Sequence, residues 1–209
     1  MSELSDAEFE ARYGPWSAFT PAQMATVLEG FQGDWWVVGG WAIEAFTGVP
    51  RRHQDIDVVV LRCDLPSLCA HLGGQFHLWC NEGGTLRFID PHAADAALPD
   101  GFFQIWLRED AFSPWVADLL VHPGAPGTWV NRRQPSMVLP LEEATWVGPD
   151  NVRYQNPEGV LLFKAAHVQQ RDERDFALTL PLLSAPQRDW LRTALSQTLP
   201  GHPWLDRLP

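Results

Sequence analysis

The run Asp55-Ile56-Asp57-Val58-Val59-Val60-Leu61 sets the hardest condition on any fold this chain adopts. Its apolar residues are those of a buried strand, yet two carboxylates stand one residue apart at its start. Residues i and i+2 of a strand point to one face. Asp55 and Asp57 should therefore project together while Ile56 and Val58 turn to the core. Carboxylates held in parallel repel each other, so one keeps its proton or a cation sits between them. Leaving them buried and unpaired is costly. A few hard oxygen donors suit Mg²⁺ or Mn²⁺, which keep coordination positions open for phosphate oxygens. The plainer alternative is an exposed strand end where water solvates both.

The residues before the pair favour the cation. Trp35 to Val38 reads as a short strand, Gly39-Gly40 breaks it, and Trp41 to Phe46 reads as a helix stopped by Gly48. Backbone without side chains can approach a phosphate closely, and a helix N-terminus adds N–H donors and positive dipole. Arg51, Arg52 and His53 lie just ahead of Asp55. Cations beside carboxylates make sense where a polyphosphate binds, because guanidinium pairs well with phosphate oxygens.

Elsewhere the pattern is mixed. Thr20-Pro21-Ala22-Gln23 opens a helix with a capping box, and Met24, Val27, Leu28 and Phe31 continue at helical spacing to Gly33. Asp64 is placed to cap a helix over 65–72. Phe76 to Asn81 and Thr85 to Asp90 flank Gly83-Gly84 as a hairpin. Phe102 to Arg108 and Trp115 to Val121 read as further strands, and 123–156 as short irregular ones. From Asn156-Pro157 onward the pattern is helical, with later helices over about 172–180 and from Ser184. The expected fold class is α+β: a mixed β-sheet core with flanking helices over 1–156, then a small helical subdomain over 157–209.

These residues together resemble the nucleotidyltransferase superfamily with the DNA polymerase β-like fold, and most of all its aminoglycoside 2''-type and lincosamide-type adenylyltransferases. The resemblance rests on Gly39-Gly40-Trp41-Ala42-Ile43-Glu44, on Arg51-x-His53-x-Asp55-Ile56-Asp57, and on Pro157-Glu158-x-Val160-Leu161-Leu162-Phe163-Lys164-Ala165 with Arg171 to Phe176. The superfamily often has Gly-Ser where this chain has Gly39-Gly40, so a contact at residue 40 must come from backbone. The resemblance implies ATP or another nucleoside triphosphate as co-substrate, with Mg²⁺ or Mn²⁺. It implies Asp55, Asp57 and a third carboxylate as metal ligands and catalytic groups. Gly39, Gly40, Arg51, His53 and Lys164 would contact the nucleotide. Asp118, interrupting the apolar run Trp115 to Val121, is the best candidate for the third carboxylate, and Asp90, at a strand end before Pro91, is the alternative.

Bulk properties bound the partners. A net charge of −11 repels nucleic acid and draws cations, so a small cationic acceptor fits better than RNA or DNA. Three cysteines, Cys63, Cys69 and Cys80, match no common zinc spacing and read as reduced thiols. No apolar run reaches membrane-spanning length, and the acidic N-terminus lacks a secretory pattern; a cytoplasmic enzyme is expected. Eleven tryptophans leave open whether Trp106, Trp115 and Trp129 line an acceptor pocket or the core. The alternative function is a tRNA- or protein-modifying, or non-catalytic, component of a toxin–antitoxin pair with the same fold.

Overall fold

The computed structural model describes residues 6–90 and 102–208. In chain order the elements are α1 (Asp6–Tyr13), α2 (Pro21–Val27), β1 (Trp35–Val37), α3 (Gly39–Thr47), β2 (Asp57–Leu61) and α4 (Leu65–Leu72). There follow β3 (His77–Glu82), β4 (Thr85–Ile89), β5 (Gln104–Arg108), β6 (Ala117–His122), β7 (Thr128–Val130) and β8 (Val138–Pro140). The chain continues through α5 (Leu141–Ala144), β9 (Thr145–Val147), β10 (Arg153–Gln155), α6 (Pro157–Lys164), α7 (Gln170–Thr179) and α8 (Ala185–Thr198). It is a mixed α+β fold, as expected. None of the helices among the described residues is long and apolar enough to cross a membrane.

The chain forms two compact units: one comprises the residues up to Trp35 and Arg52–Pro126, the other Trp36–Arg51 and Gly127–Pro209. Helical structure does begin at Pro157, where the pattern changes, but the units are cut elsewhere, because residues 36–51 pack with the later half of the chain.

The first unit is built on strands in the order β4-β3-β5-β6-β2. β2 and β6 run parallel, while β5 with β6, β3 with β5 and β3 with β4 are antiparallel. The β3–β4 hairpin turns on Gly83 and Gly84, at φ +60 and +88, the left-handed pair that matches strand twist. Val58, Val59, Val60 and Leu61 are fully buried, as a strand covered on both faces requires. Trp106 and Trp115 are core residues, 5% and 2% exposed, in ring contact with each other and with Trp16. The pocket-lining alternative for these two is thereby settled in favour of the core.

The helix capped by Thr20 forms with both reciprocal hydrogen bonds of its capping box. It ends at Val27 rather than running toward Gly33, because the chain turns at Gly30, whose φ is +82. Asp64 precedes α4 but makes no side-chain cap.

In the second unit β1 lies parallel to β10, which pairs antiparallel with β9. Helix α3 packs on α6 and α7. Trp129 is buried at 1% exposure yet lines a cavity with Gln155, Glu158 and Trp190, and Trp204 stacks on Phe176 with ring centroids 4.2 Å apart. Helix α8 starts after Ser184, where the sequence predicts a helix, and Ser184 and Gln187 form a capping box there.

Candidate functional site

The carboxylates gather in the first unit. β2 begins at Asp57, so Asp55 lies just before the strand, exposed, with fully buried Ile56 between it and half-buried Asp57. In the parallel register Asp57 is the direct partner of Asp118 on β6, and Trp106 on β5 is the antiparallel partner of Asp118. Residues paired in register project to the same face, so one rung carries Asp57, Asp118 and Trp106. Asp118 is 6% exposed. Its Oδ2 accepts a hydrogen bond from Gln104 Nε2 at 2.6 Å, whereas its buried Oδ1 has no hydrogen-bond partner.

Burial, first, and then the charges of Asp57 and Asp55 push the Asp118 carboxyl well above the usual carboxylate range. Gln104 and, more weakly, Trp106 oppose this without cancelling it. A buried carboxyl whose donors, Gln104 and more weakly Trp106, do not offset two neighbouring carboxylates favours a proton or a cation.

Adjacent carboxylates of this kind are the donor type that suits a hard divalent ion. Among the described residues no three side chains converge as a closed metal centre; what the sheet provides is an adjacent pair, Asp57 and Asp118, with exposed Asp55 nearby. Magnesium is commonly held by one or two carboxylates, its remaining positions going to water and substrate phosphates. Asp90 is exposed just beyond β4, at the opposite edge of the first unit's strands from β2. Pro91, expected to turn with it, lies outside the described residues.

The second unit holds the glycines and the cations. Gly39 is the first residue of α3 with φ +65, a left-handed conformation that only glycine adopts readily. Val38, the N-cap, makes no side-chain hydrogen bond to the first turn, whose N–H groups need partners from elsewhere. Gly40 has a different requirement: a Cβ there would run into the Arg51 guanidinium. The backbone N–H of Arg51 donates to Glu44 Oε2 at 2.9 Å. Lys164, at the end of α6, donates to Asp172 Oδ1 at 2.6 Å and lies 2.9 Å from Asp175 Oδ2. Asp175 also stands 3.7 Å from Arg51. His53, in the first unit, is half-buried in the loop before β2.

Three of these participants carry weak sequence signals. Gln104 is a polar residue opening an apolar strand; Glu44 belongs to the Gly39–Glu44 block without a role of its own in the sequence, and Asp175 lies in a mixed-charge run that reads as a salt-bridged structural face. Only the fold shows what each of them holds.

Comparisons with known proteins agree with this architecture. The family model for aminoglycoside-2''-adenylyltransferase matches residues 22–74, a stretch that includes Gly39, Gly40, Arg51, His53, Asp55 and Asp57. No curated protein matches the chain by sequence. Among solved structures, a crystal structure of ANT(2'')-Ia in complex with adenylyl-2''-tobramycin is 15% identical, covering 86% of this chain and 98% of that one, with a TM-score of 0.53. A solution structure of antibiotic-resistance factor ANT(2'')-Ia is 17% identical, covering 84% and 88%, with a TM-score of 0.48. A crystal structure of the lincosamide antibiotic adenylyltransferase LnuA with lincomycin bound is 15% identical, covering 77% and 96%, with a TM-score of 0.49. In fold the chain is similar to ANT(2'')-Ia, and its residues 22–74 carry the signature of the aminoglycoside-2''-adenylyltransferase family model.

Proposed function

We propose that the protein transfers a nucleoside monophosphate, AMP from ATP, to a hydroxyl of a small cationic acceptor and releases pyrophosphate. The observation that carries this reading is the orphaned, buried Oδ1 of Asp118 on the same rung as Asp57. Such a pair is of use to a chain that meets a cation and a triphosphate there, and is otherwise only a cost.

Gly39, Gly40, Arg51 and Lys164 receive phosphate oxygens, the first two by backbone N–H groups and the others by charge-assisted hydrogen bonds. His53, just ahead of Asp55, is assigned to the same nucleotide contacts. Asp57 and Asp118, with Asp55 beside them, would hold Mg²⁺ or Mn²⁺, and such an ion would supply charge neutralisation to the triphosphate. Asp118 is also assigned to take the proton of the acceptor hydroxyl. The hydroxyl oxygen forms the new bond to the α-phosphorus as the α–β phosphoanhydride bond breaks, and the electron pair leaves with pyrophosphate. Positioning and charge compensation provide most of the acceleration.

The net charge of −11 supports a cationic acceptor, and the family match over residues 22–74 favours an aminoglycoside, with antibiotic resistance as the consequence. Calorimetry with a non-hydrolysable ATP analogue and Mg²⁺ should show binding that Asp57→Asn weakens at least tenfold, one carboxylate ligand being about 1.4 kcal/mol or more. A pyrophosphate-release screen over aminoglycosides, lincosamides and tRNA then identifies the acceptor. Full activity in Asp57→Asn would remove the carboxylates from the reaction. Nucleotide binding with no release on any acceptor would move the protein to the non-catalytic reading.

A further inference from the structure

Asp172 and Asp175 lie one turn apart on α7 and have different duties. Asp172 accepts Lys164 Nζ on Oδ1 and, on Oδ2, the N–H of Gln169 at 3.0 Å. The second bond caps its own helix, so Asp172 is committed to the fold. Asp175 is 2% exposed, and the same oxygen, Oδ2, meets both cations: Lys164 at 2.9 Å and Arg51 at 3.7 Å.

Arg51 is in a place where a cation alone is unwelcome. Its guanidinium fills the space that a side chain on Gly40 would take, at the first turn of α3. The positive end of a helix dipole repels a cation there unless an anion accompanies it. At rest Asp175 contributes that anion.

Building on the reading in which Arg51 and Lys164 bind phosphate oxygens, we propose that Asp175 is a positioning residue: it holds both cations in the arrangement a polyphosphate meets. Gly40 is the complementary gap that admits the guanidinium to the helix start. A cation thus fills the space that a side chain at residue 40 would need. The absent side chain at residue 40 is a requirement of Arg51, not a loss of function.

The test separates positioning from plain charge. Asp175→Asn removes a negative charge next to two cations, so Coulomb attraction alone predicts tighter anion binding. Positioning predicts the opposite. Calorimetry with inorganic tripolyphosphate in EDTA, free of divalent metal, should show affinity falling about tenfold in Asp175→Asn as the charge-assisted contacts lose their geometry. Stoichiometry should stay unchanged; a merely structural role would instead reduce the bound fraction at unaltered affinity. Gly40→Ala carries the test if Asp175→Asn does not fold, because its Cβ meets only the far end of the Arg51 side chain. It should keep its melting temperature and bind tripolyphosphate less well. Tighter or unchanged binding by either variant, with the wild type binding normally, overturns the assignment of Asp175 and Gly40 alone. No binding by the wild type overturns the phosphate reading beneath it, and this proposal with it.

Discussion

Asp118→Asn should lower kcat by about 10²–10⁴-fold, the range for losing a positioned acid–base group, and at the same time make the protein more stable. The two effects share one cause. In the wild type, Asp118 Oδ1 is buried without a hydrogen-bond partner and the carboxyl faces Asp57 across the β2–β6 register. An unsatisfied buried polar group costs about 1–3 kcal/mol. Asn keeps an oxygen for the Gln104 amide and puts an NH₂ in place of the orphan, where a carboxylate is the neighbour. A gain of 1 kcal/mol corresponds to roughly 2–4 °C in a domain of this size. Equal melting temperatures with lost activity would mean that the carboxylate is not under electrostatic stress.

The pH dependence gives the same argument a sign. The folded-state proton affinity of Asp118 is raised, by burial first and by Asp57 and Asp55 after it. Such a group contributes stability that is fully present below the unfolded carboxylate pKa of about 4 and is lost as pH rises through the higher folded value. Melting temperatures of wild type and Asp118→Asn should therefore converge in acid and separate as pH rises, the wild type falling behind. Mg²⁺ favours the ionised form, so it should stabilise the wild type increasingly with pH and the variant much less. Parallel curves with and without Mg²⁺ would take Asp118 out of cation binding.

What could be read in advance divides along physical lines. Thr20, Ser184 and the Gly83-Gly84 hairpin were legible because caps and tight turns are decided by a few neighbouring residues. Asp118 was legible because a charge in an apolar strand demands an explanation wherever that strand lies. The rung that joins it to Asp57 and Trp106 was not, because register is settled between strands distant in the chain. Asp64 had the right residue type for a cap, yet its carboxylate is turned elsewhere, with Oδ2 buried against Gly33. Asp175 sits in a mixed-charge run that reads as a salt-bridged structural face, but not as a buried one; its 2% exposure goes with the packing of α3 on α7. Composition could not assign the tryptophans, since an aromatic ring serves a pocket and a core equally well.

Trp115 is where that last ambiguity has the largest consequence for stability. Its ring contacts Trp106, Trp79 and Trp16 at centroid distances of 5.4, 6.4 and 6.5 Å, and the Arg108 guanidinium lies 4.4 Å from its centroid. Its indole N–H donates to Tyr13 O at 2.6 Å, and its backbone bonds to Pro15 and Ser17. A single side chain thus closes the aromatic core and fastens residues 13–17 to the start of β6. Trp115→Ala should cost about 3–5 kcal/mol, the usual range for emptying a buried tryptophan site, and lower the denaturant midpoint accordingly. Trp115→Phe, which refills most of the volume, should recover the larger part. Hydrogen exchange distinguishes a local from a global loss: the Ser17 and Phe19 amides, bonded to Trp115 O and Val116 O, should lose protection before the β2 and β6 amides do. If the midpoint held and Ser17 and Phe19 stayed protected in Trp115→Ala, the N-terminal segment would be anchored by something other than this ring. The core beside Asp118 would then have to be stabilised through Trp106 and Trp79 without it.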